Sequence, residues 1–297
     1  MKISIVIPNF NGKELLEKNL PNVFKAVDNS KNNINEIVIV DNGSSDDSIS
    51  YLKNNFEGKY KLIKLSKNRG FSTAINTGVR STHSDLVLLL NNDVSPEVDF
   101  LEKPQELFTD AKVFAVSLHE NGHGPSRAAF NNGIIDIGFT KPETKKVELT
   151  FYASGAASLF RKSVWQELGG MDEKLLSPFY WEDIDLSYRA SKRGYTVLWC
   201  PDGRVIHNHE STSSKLPKKY VARIKERNQL LMLWKNIHSK ALITKHISML
   251  LRRVLSTPGY LLIIIMTIPR LGQLIKSRRR EIKESKVSDE AVFQKYS

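Results

Sequence analysis

Residues 86–93 read Leu86-Val87-Leu88-Leu89-Leu90-Asn91-Asn92-Asp93, five apolar side chains without alternation, then two amides and a carboxylate. A run this short and apolar on both sides suits a strand covered by helices on both faces, as in a parallel sheet. In open α/β sheets ligands bind beyond the carboxyl ends of the strands, which is where this polar triplet stands.

The same pattern recurs on either side. Residues 3–7 (Ile3-Ser4-Ile5-Val6-Ile7) and 36–40 (Glu36-Ile37-Val38-Ile39-Val40) are β-branched runs that end at Pro8-Asn9 and at Asp41-Asn42-Gly43-Ser44. Between them 11–33 reads as a helix with a polar loop; 60–65 reads as a strand and 70–81 as a helix. This alternation predicts an α/β fold with a mostly parallel central sheet and helices on both faces. Pro8-Asn9, Asp41 and Asp93 should then converge on one cleft. Further on, 97–109 reads as a helix, 113–118 as a strand, and 119–150 as a polar stretch with weak hairpin patterns around 133–138 and 146–151. Residues 163–168 read as a helix before Gly169-Gly170, and 182–193 as a helix stopped by Gly194. Extended segments follow at 196–200 and 204–207, and helical segments run from 217 to about 255.

Charge is unevenly placed. Residues 1–214 hold 25 Lys/Arg against 27 Asp/Glu and residues 215–297 hold 19 against 5, so the net charge of +12 belongs to the tail. The single cysteine, Cys200, excludes an internal disulfide and a cysteine-rich zinc module, fits a reducing cytosol, and reads as a small buried hydrophobe. The apolar stretch before Pro8 is too short for a secretory segment, so no leader is expected. No unbroken run reaches the roughly 20 apolar residues of a bilayer-spanning helix; the nearest approach is 260–268.

Several polar groups have the chemistry of a site. A carboxylate such as Asp93 at a strand end can hold a hard divalent cation, and the amides Asn91 and Asn92 offer oxygens without further negative charge; the same triplet would also suit a solvated turn. Asp41 could accept hydrogen bonds from a base or ribose, but no Gly-x-Gly-x-x-Gly follows either early strand, which counts against a dehydrogenase. In Trp181-Glu182-Asp183-Ile184-Asp185, helical spacing puts Glu182 and Asp185 on one face and Asp183 elsewhere. Such acids could simply favour a helix start, or one facing the cleft could take a proton from an attacking hydroxyl. His207 and His209 alternate in an extended segment, and either imidazole beside Asp93 would complete a mixed metal site. Arg69, ahead of the 70–81 helix, could meet phosphate.

This ordered set resembles the family 2 inverting nucleotide-sugar glycosyltransferases with a GT-A fold, especially bacterial rhamnosyltransferases and surface-polysaccharide glycosyltransferases. The resemblance rests on Ile5-Val6-Ile7-Pro8-Asn9-Phe10-Asn11, Val40-Asp41-Asn42-Gly43-Ser44-Ser45-Asp46, Asn91-Asn92-Asp93, Gly155-Ala156 and Trp181-Glu182-Asp183. It implies a GT-A catalytic domain over 1–213, with a nucleotide-binding half at 1–95 and an acceptor and catalytic half at 96–213. By the same resemblance Pro8, Asn9 and Asp41 hold the nucleoside, and Asn68, Arg69 and Gly70 flank base and phosphate. Asn11, Asn76, Asn91, Asn92 and Gly155 complete the donor site. The family's Asp-x-Asp motif falls on Asn91-Asn92-Asp93, its first acid now asparagine, which leaves Asp93 as ligand for Mg²⁺ or Mn²⁺. His207 aligns as the second metal ligand, with His209 the alternative. Asp183 takes the role of general base, with Glu182 beside it in the catalytic motif. The implied reaction is a single displacement from a nucleoside-diphosphate sugar, dTDP-L-rhamnose among the candidates, onto a glycan or lipid-linked glycan.

The tail, 214–297, reads as a basic, amphipathic helical extension. Leu250, Leu251, Val254 and Leu255 beside Arg252 and Arg253 suit an anchor on anionic lipid, or an interface with a second copy of the chain. The expected location is therefore cytoplasmic, peripheral on the inner face of the membrane. A nucleic-acid-binding protein lacks support, since no zinc-finger spacing, arginine-glycine tract or stacking pattern is present. A nucleotidyltransferase would need a glycine-rich basic N-terminal phosphate loop, which is missing. The asparagine at position 91 keeps a catalytically inactive scaffold subunit as the competing reading.

Overall fold

The computed structural model describes residues 1–141, 145–208 and 216–297. The apolar runs become strands β1 (Ile3–Asn9), β2 (Ile34–Asp41), β3 (Lys61–Lys64) and β4 (Leu86–Leu90), alternating with helices α1 (Lys13–Asp28), α2 (Ser48–Phe56) and α3 (Phe71–Arg80). Then come β5 (Val94–Pro96), β6 (Val113–Glu120), the hairpin β7 (Ser126–Asn131) and β8 (Ile134–Phe139), β9 (Glu148–Leu149) and β10 (Ala157–Arg161). Helices α4 (Lys162–Leu168) and α5 (Glu182–Lys192) precede β11 (Thr196–His207).

The main sheet has nine strands, ordered β3-β2-β1-β4-β10-β6-β11-β5, with β9 on β11. β3, β2, β1 and β4 pair in parallel, as do β6 and β11. Strands β10, β5 and β9 run against their neighbours, so the sheet is mostly parallel.

Unalternating strands are explained by two apolar layers. Ile5, Ile7, Ile39 and Leu88 face Leu16, Leu20 and Leu52 of α1 and α2. Their neighbours Val6, Val38, Val40 and Leu89 face Ala74, Ile75, Trp165 and Leu186 of α3, α4 and α5. Each such side chain contributes about 1.5–3 kcal/mol on burial, so neither face tolerates polar residues and polarity collects at the strand ends. Cys200 is fully buried in the first layer.

Two readings need correction. Over 97–109 only a 3₁₀ turn, Pro104–Thr109, is present; Pro104 lacks the N–H a helix interior needs, and suits a first turn. Residues 196–207 form one strand whose register slips between Trp199 and Arg204, around Pro201, which cannot donate to the ladder. The hairpin turns on Asn132-Gly133, both left-handed at φ 47° and 75°, as a two-residue hairpin loop requires.

The tail forms α6 (Lys218–Asn236), α7 (Lys240–Ser256), α8 (Leu261–Ile265), α9 (Leu271–Glu284) and α10 (Asp289–Tyr296). Leu231, Leu274, Phe293 and Tyr296 share one apolar cluster with Phe151, Leu175 and Tyr188. Buried ion pairs tie the same helices to α5: Lys235 to Asp185 at 3.0 Å, Asp289 to Lys192 at 2.7 Å, and Glu281 to Arg193 at 2.8 Å. On the outer side Leu251, Leu255, Ile265 and Ile275 are exposed, Leu255 by 82%. Contrary to the count of unbroken apolar residues, 258–284 is a 27-residue helical stretch long and apolar enough by composition to cross a membrane. Thr267, Pro269 and Arg270 interrupt the run without lowering its average far.

Candidate active site

Polar ends of β1 and β4, the loops before α3 and α5, the segment before β10 and the end of β11 line a cavity of about 460 Å³. Eleven of the fifteen site residues expected from the sequence line it: Pro8, Asn9, Asn68 and Gly70 on one side, Asn91, Asn92, Asp93 and His207 beyond β4 and β11, and Gly155, Glu182 and Asp183 opposite.

The remaining four sit behind or beside that lining. Asp41, buried under β1, accepts hydrogen bonds from the Asn9 amide (3.3 Å) and the Ser44 N–H (3.1 Å). Asn11 takes the Ser45 N–H at 2.8 Å and so braces the same loop. Arg69 is exposed beside the cavity, its N–H donated to Asn42 Oδ1 at 2.9 Å. Asn76 lies apart: its amide donates to the Met171 carbonyl and to Glu173, and its oxygen accepts the Met171 N–H. Its polar atoms are thereby committed to holding the 171–173 turn, a packing role that helical spacing alone could not distinguish from donor contact. His209 lies outside the described residues.

Other contacts fix the shape of the lining. Asn42 spans the loops after β2 and before α3, donating to Asn68 Oδ1 (3.1 Å) and the Gly70 carbonyl (3.2 Å). Gly12 is fixed by close approach, since a Cβ there would stand 2.3 Å from Asn92 Nδ2 and 2.6 Å from Asn9 Oδ1. Gly70 takes φ +86° at the start of α3, a conformation that disfavours other residues. Asn228 of α6, fully buried, reaches the carbonyls of Leu176, Phe179 and Tyr180 at 2.6–3.0 Å and shapes the cavity wall.

Asp93 is 1% exposed, and neither carboxylate oxygen has a hydrogen-bond partner among the described residues; the same holds for Asn91 Oδ1 and Glu182 Oε2. His207 Nε2 comes within 3.3 Å of Asp93 Oδ1, an ion-pair distance. Its Nδ1 is 2.8 Å from Glu120 Oε2. Burial would lower the His207 pKa, but the two carboxylates outweigh it and push it up to about 9. Glu120, absent from the sequence reading, thus orients the ring so that Nε2 faces Asp93, as carboxylates behind metal-bound histidines do.

Among the described residues no three of His, Cys, Asp and Glu form a ready-made metal cage. Mg²⁺ and Mn²⁺ sites in phosphate-transfer chemistry need only one or two protein carboxylates, because substrate phosphates and water complete the shell. Asp93 with its unsatisfied oxygens, the Asn91 carbonyl and His207 Nε2 fit that requirement.

The second carboxylate pair departs from helical spacing. Tyr180 and Trp181 are both left-handed, at φ 71° and 76°, a conformation that costs ordinary residues energy and gathers at functional sites. This turn brings Glu182 and Asp183 together into the cavity, while Asp185 points to the rear and pairs with Arg189 and Lys235. Asp183 accepts the Gly155 N–H (3.1 Å) and the Ile184 N–H (2.8 Å). Its pKa is nonetheless raised, chiefly by burial. Glu182 is raised well above the usual carboxylate range, by burial and then by the charge of Asp183.

A mostly parallel α/β sheet with a polar cavity at its carboxyl edge is the arrangement of the GT-A fold. Residues 4–169 match the family described as Glycosyl transferase family 2, and the chain belongs to that family. It is 25% identical over 233 residues to the O-antigen chain rhamnosyltransferase RfbN of Salmonella typhimurium, covering 74% of this chain and 70% of the relative. A Pre-mycofactocin glycosyltransferase of Mycobacterium tuberculosis is 27% identical over 183 residues, 59% of this chain and 38% of the relative, so the chain spans well under half of that protein. GalNAc-T7, solved with UDP, GalNAc and Mn²⁺, shares the fold at TM-score 0.63 and 16% identity, over 80% of this chain and 48% of that one. Mannosyltransferase PcManGT from Pyrobaculum calidifontis, solved with GDP-Man and Mn²⁺, does so at TM-score 0.58 and 17% identity, over 95% and 85%.

Proposed function

We propose that the chain transfers a sugar from a nucleoside-diphosphate donor to a hydroxyl of a glycan or lipid-linked glycan, with inversion at the anomeric carbon. The supporting observation is that Asp93, buried with His207 as its one ion-pair partner among the described residues, and Asp183 line one cavity whose volume suits a small-molecule ligand. Pro8, Asn9, Asn68 and Gly70 line the nucleoside side, braced by Asp41, Asn42 and Asn11. Asp93, His207 and the Asn91 carbonyl would hold Mg²⁺ or Mn²⁺, which when bound neutralises charge developing on the diphosphate. Mn²⁺ accompanies the nucleotide or nucleotide sugar in both solved relatives.

Asp183 accepts the proton of the acceptor hydroxyl. The freed oxygen pair forms the new bond to the anomeric carbon as the bond to diphosphate breaks on the opposite face, and the nucleoside diphosphate leaves with the electron pair of the broken bond. Burial makes Asp183 a stronger base than an exposed aspartate, and the two N–H donors fix its direction. Glu182, whose pKa burial and the charge of Asp183 raise, can when protonated donate a hydrogen bond to a sugar oxygen. The rhamnosyltransferase relative makes dTDP-L-rhamnose the first donor to try.

The protein works on the cytoplasmic face of the membrane in this reading. Exposed Leu251, Leu255, Ile265 and Ile275 stand among the exposed cations Arg252, Lys276 and Arg279, a combination suited to anionic lipid. An interfacial position is favoured over a spanning one because α9 buries Leu274 and Glu281 against the rest of the chain.

Purified protein incubated with a panel of nucleotide sugars and Mn²⁺ or Mg²⁺ should release nucleoside diphosphate from one of them, faster with a glycan acceptor and not after chelation. No release from any donor, with or without acceptor, would sink the proposal.

A further inference from the structure

A second cavity of about 250 Å³ adjoins the first and shares Ser154 and His207 with it. Its walls include Phe139, Tyr152 and Trp199, and no Lys or Arg lines it among the described residues. Phe139 is a large apolar side chain left 54% exposed at the end of β8, edge-on to Tyr152 with ring centroids 6.3 Å apart. Trp199 is 2% exposed, and its indole N–H has no partner among the described residues. Buried indole N–H groups ordinarily find an acceptor, and this one, on a residue that lines the cavity, has none among the described residues.

Tyr152 stands in the same wall. Burial, and then the charges of Asp183 and Glu120, push its pKa far up, so it remains a proton donor near the catalytic aspartate.

We propose that this cavity is a saccharide subsite: it seats one neutral sugar ring of the acceptor glycan, with a C–H face on Phe139 and Tyr152 and a ring or hydroxyl oxygen accepting from the Trp199 indole. The volume is below that usual for a whole ligand, which fits a single ring and not an oligosaccharide. The aromatic walls suit the apolar face of a pyranose, and the Ser, Thr and His side chains between them suit its hydroxyls. A lipid diphosphate would be poorly matched, since no Lys or Arg lines the cavity among the described residues and its one carboxylate side chain, Glu120, is already paired with His207. Through the shared Ser154 and His207, a neighbouring hydroxyl of the same glycan can reach Asp183 in the first cavity. The inference rests on the glycosyl-transfer reading for its acceptor role, but binding of a sugar can be measured without turnover.

The test uses the full chain and methyl glycosides of L-rhamnose, D-glucose, D-galactose and N-acetyl-D-glucosamine, followed by saturation-transfer NMR and tryptophan fluorescence. Phe139→Ala removes an exposed platform, and Trp199→Phe removes the N–H while keeping a ring; thermal unfolding checks that both fold. At least one glycoside should bind the parent chain, with Kd and acceptor KM rising about fivefold in each variant. Donor KM and acceptor-independent release of nucleoside diphosphate should stay unchanged. Failure of all four glycosides to bind the parent overturns the subsite, as does an unaltered acceptor constant in both variants. If glycosides bind and the variants weaken them while no donor is consumed, the subsite stands and the transfer reading fails.

Discussion

Replacing Asp289 by alanine should loosen the helix that carries Glu182 and Asp183, although Asp289 lies about a hundred residues from them in sequence. Its carboxylate accepts from Tyr188 (2.8 Å) and Lys192 (2.7 Å) of α5 and from the N–H groups of His238 (2.6 Å) and Ser239 (2.7 Å). The Lys192 side chain is only 4% exposed, so Asp289→Ala strands a buried cation together with a phenol and two backbone donors. Removing one partner of a buried pair costs about 3–5 kcal/mol. At about 2 °C per kcal/mol for a chain of this size, the melting temperature should fall by about 6–10 °C. Circular dichroism melts of the purified variant would measure it. Adding Lys192→Met should recover a large part of the loss, because no charge is then left unpaired. A single variant melting within about 1 °C of the parent would refute the claim that α10 grips α5.

Further outcomes follow from the site. Glu120→Gln should weaken Mn²⁺ binding about 10- to 100-fold, read by calorimetric titration, because His207 loses the carboxylate that aims its ring; undiminished affinity would remove Glu120 from the site. Asp183 works ionised and its pKa is raised by burial above the ordinary 3.8. Turnover should therefore fall with decreasing pH along a limb that lies above that value, and a limb at or below it would contradict the burial argument. Leu255→Glu, at a site 82% exposed, should leave melting unchanged yet reduce co-sedimentation with anionic vesicles; equal co-sedimentation would point to a different surface.

The strands and their polar ends were legible because burial on two faces leaves a mark in consecutive residues. Leu86–Leu90 has no room for polarity, and Asn91-Asn92-Asp93 follows at once. What sequence could not reveal was how distant pieces meet. Glu120 reads as the frayed end of a strand until the end of β11 lies beside it. Asn42 and Asn228 look like any loop or helix amide until their carbonyl partners are seen. The spacing rule failed at Glu182 and Asp183 because left-handed Trp181 resets the direction of the first turn. The tail's charge suggested a free basic surface, whereas Lys235 and Arg278 are spent inside, the first on Asp172 and Asp185, the second on the carbonyls of Trp234 and Ile237.

The central claim is that one cavity joins a diphosphate-holding carboxylate, Asp93, to a separate base, Asp183. It is tested most directly by titrating the accepted donor into Asp183→Asn with Mn²⁺ present and measuring turnover on the same sample. Donor affinity within about twofold of the parent, with kcat lower by about 10²–10⁴, is the expected result. Parallel loss of affinity and turnover, or turnover near that of the parent, would contradict it.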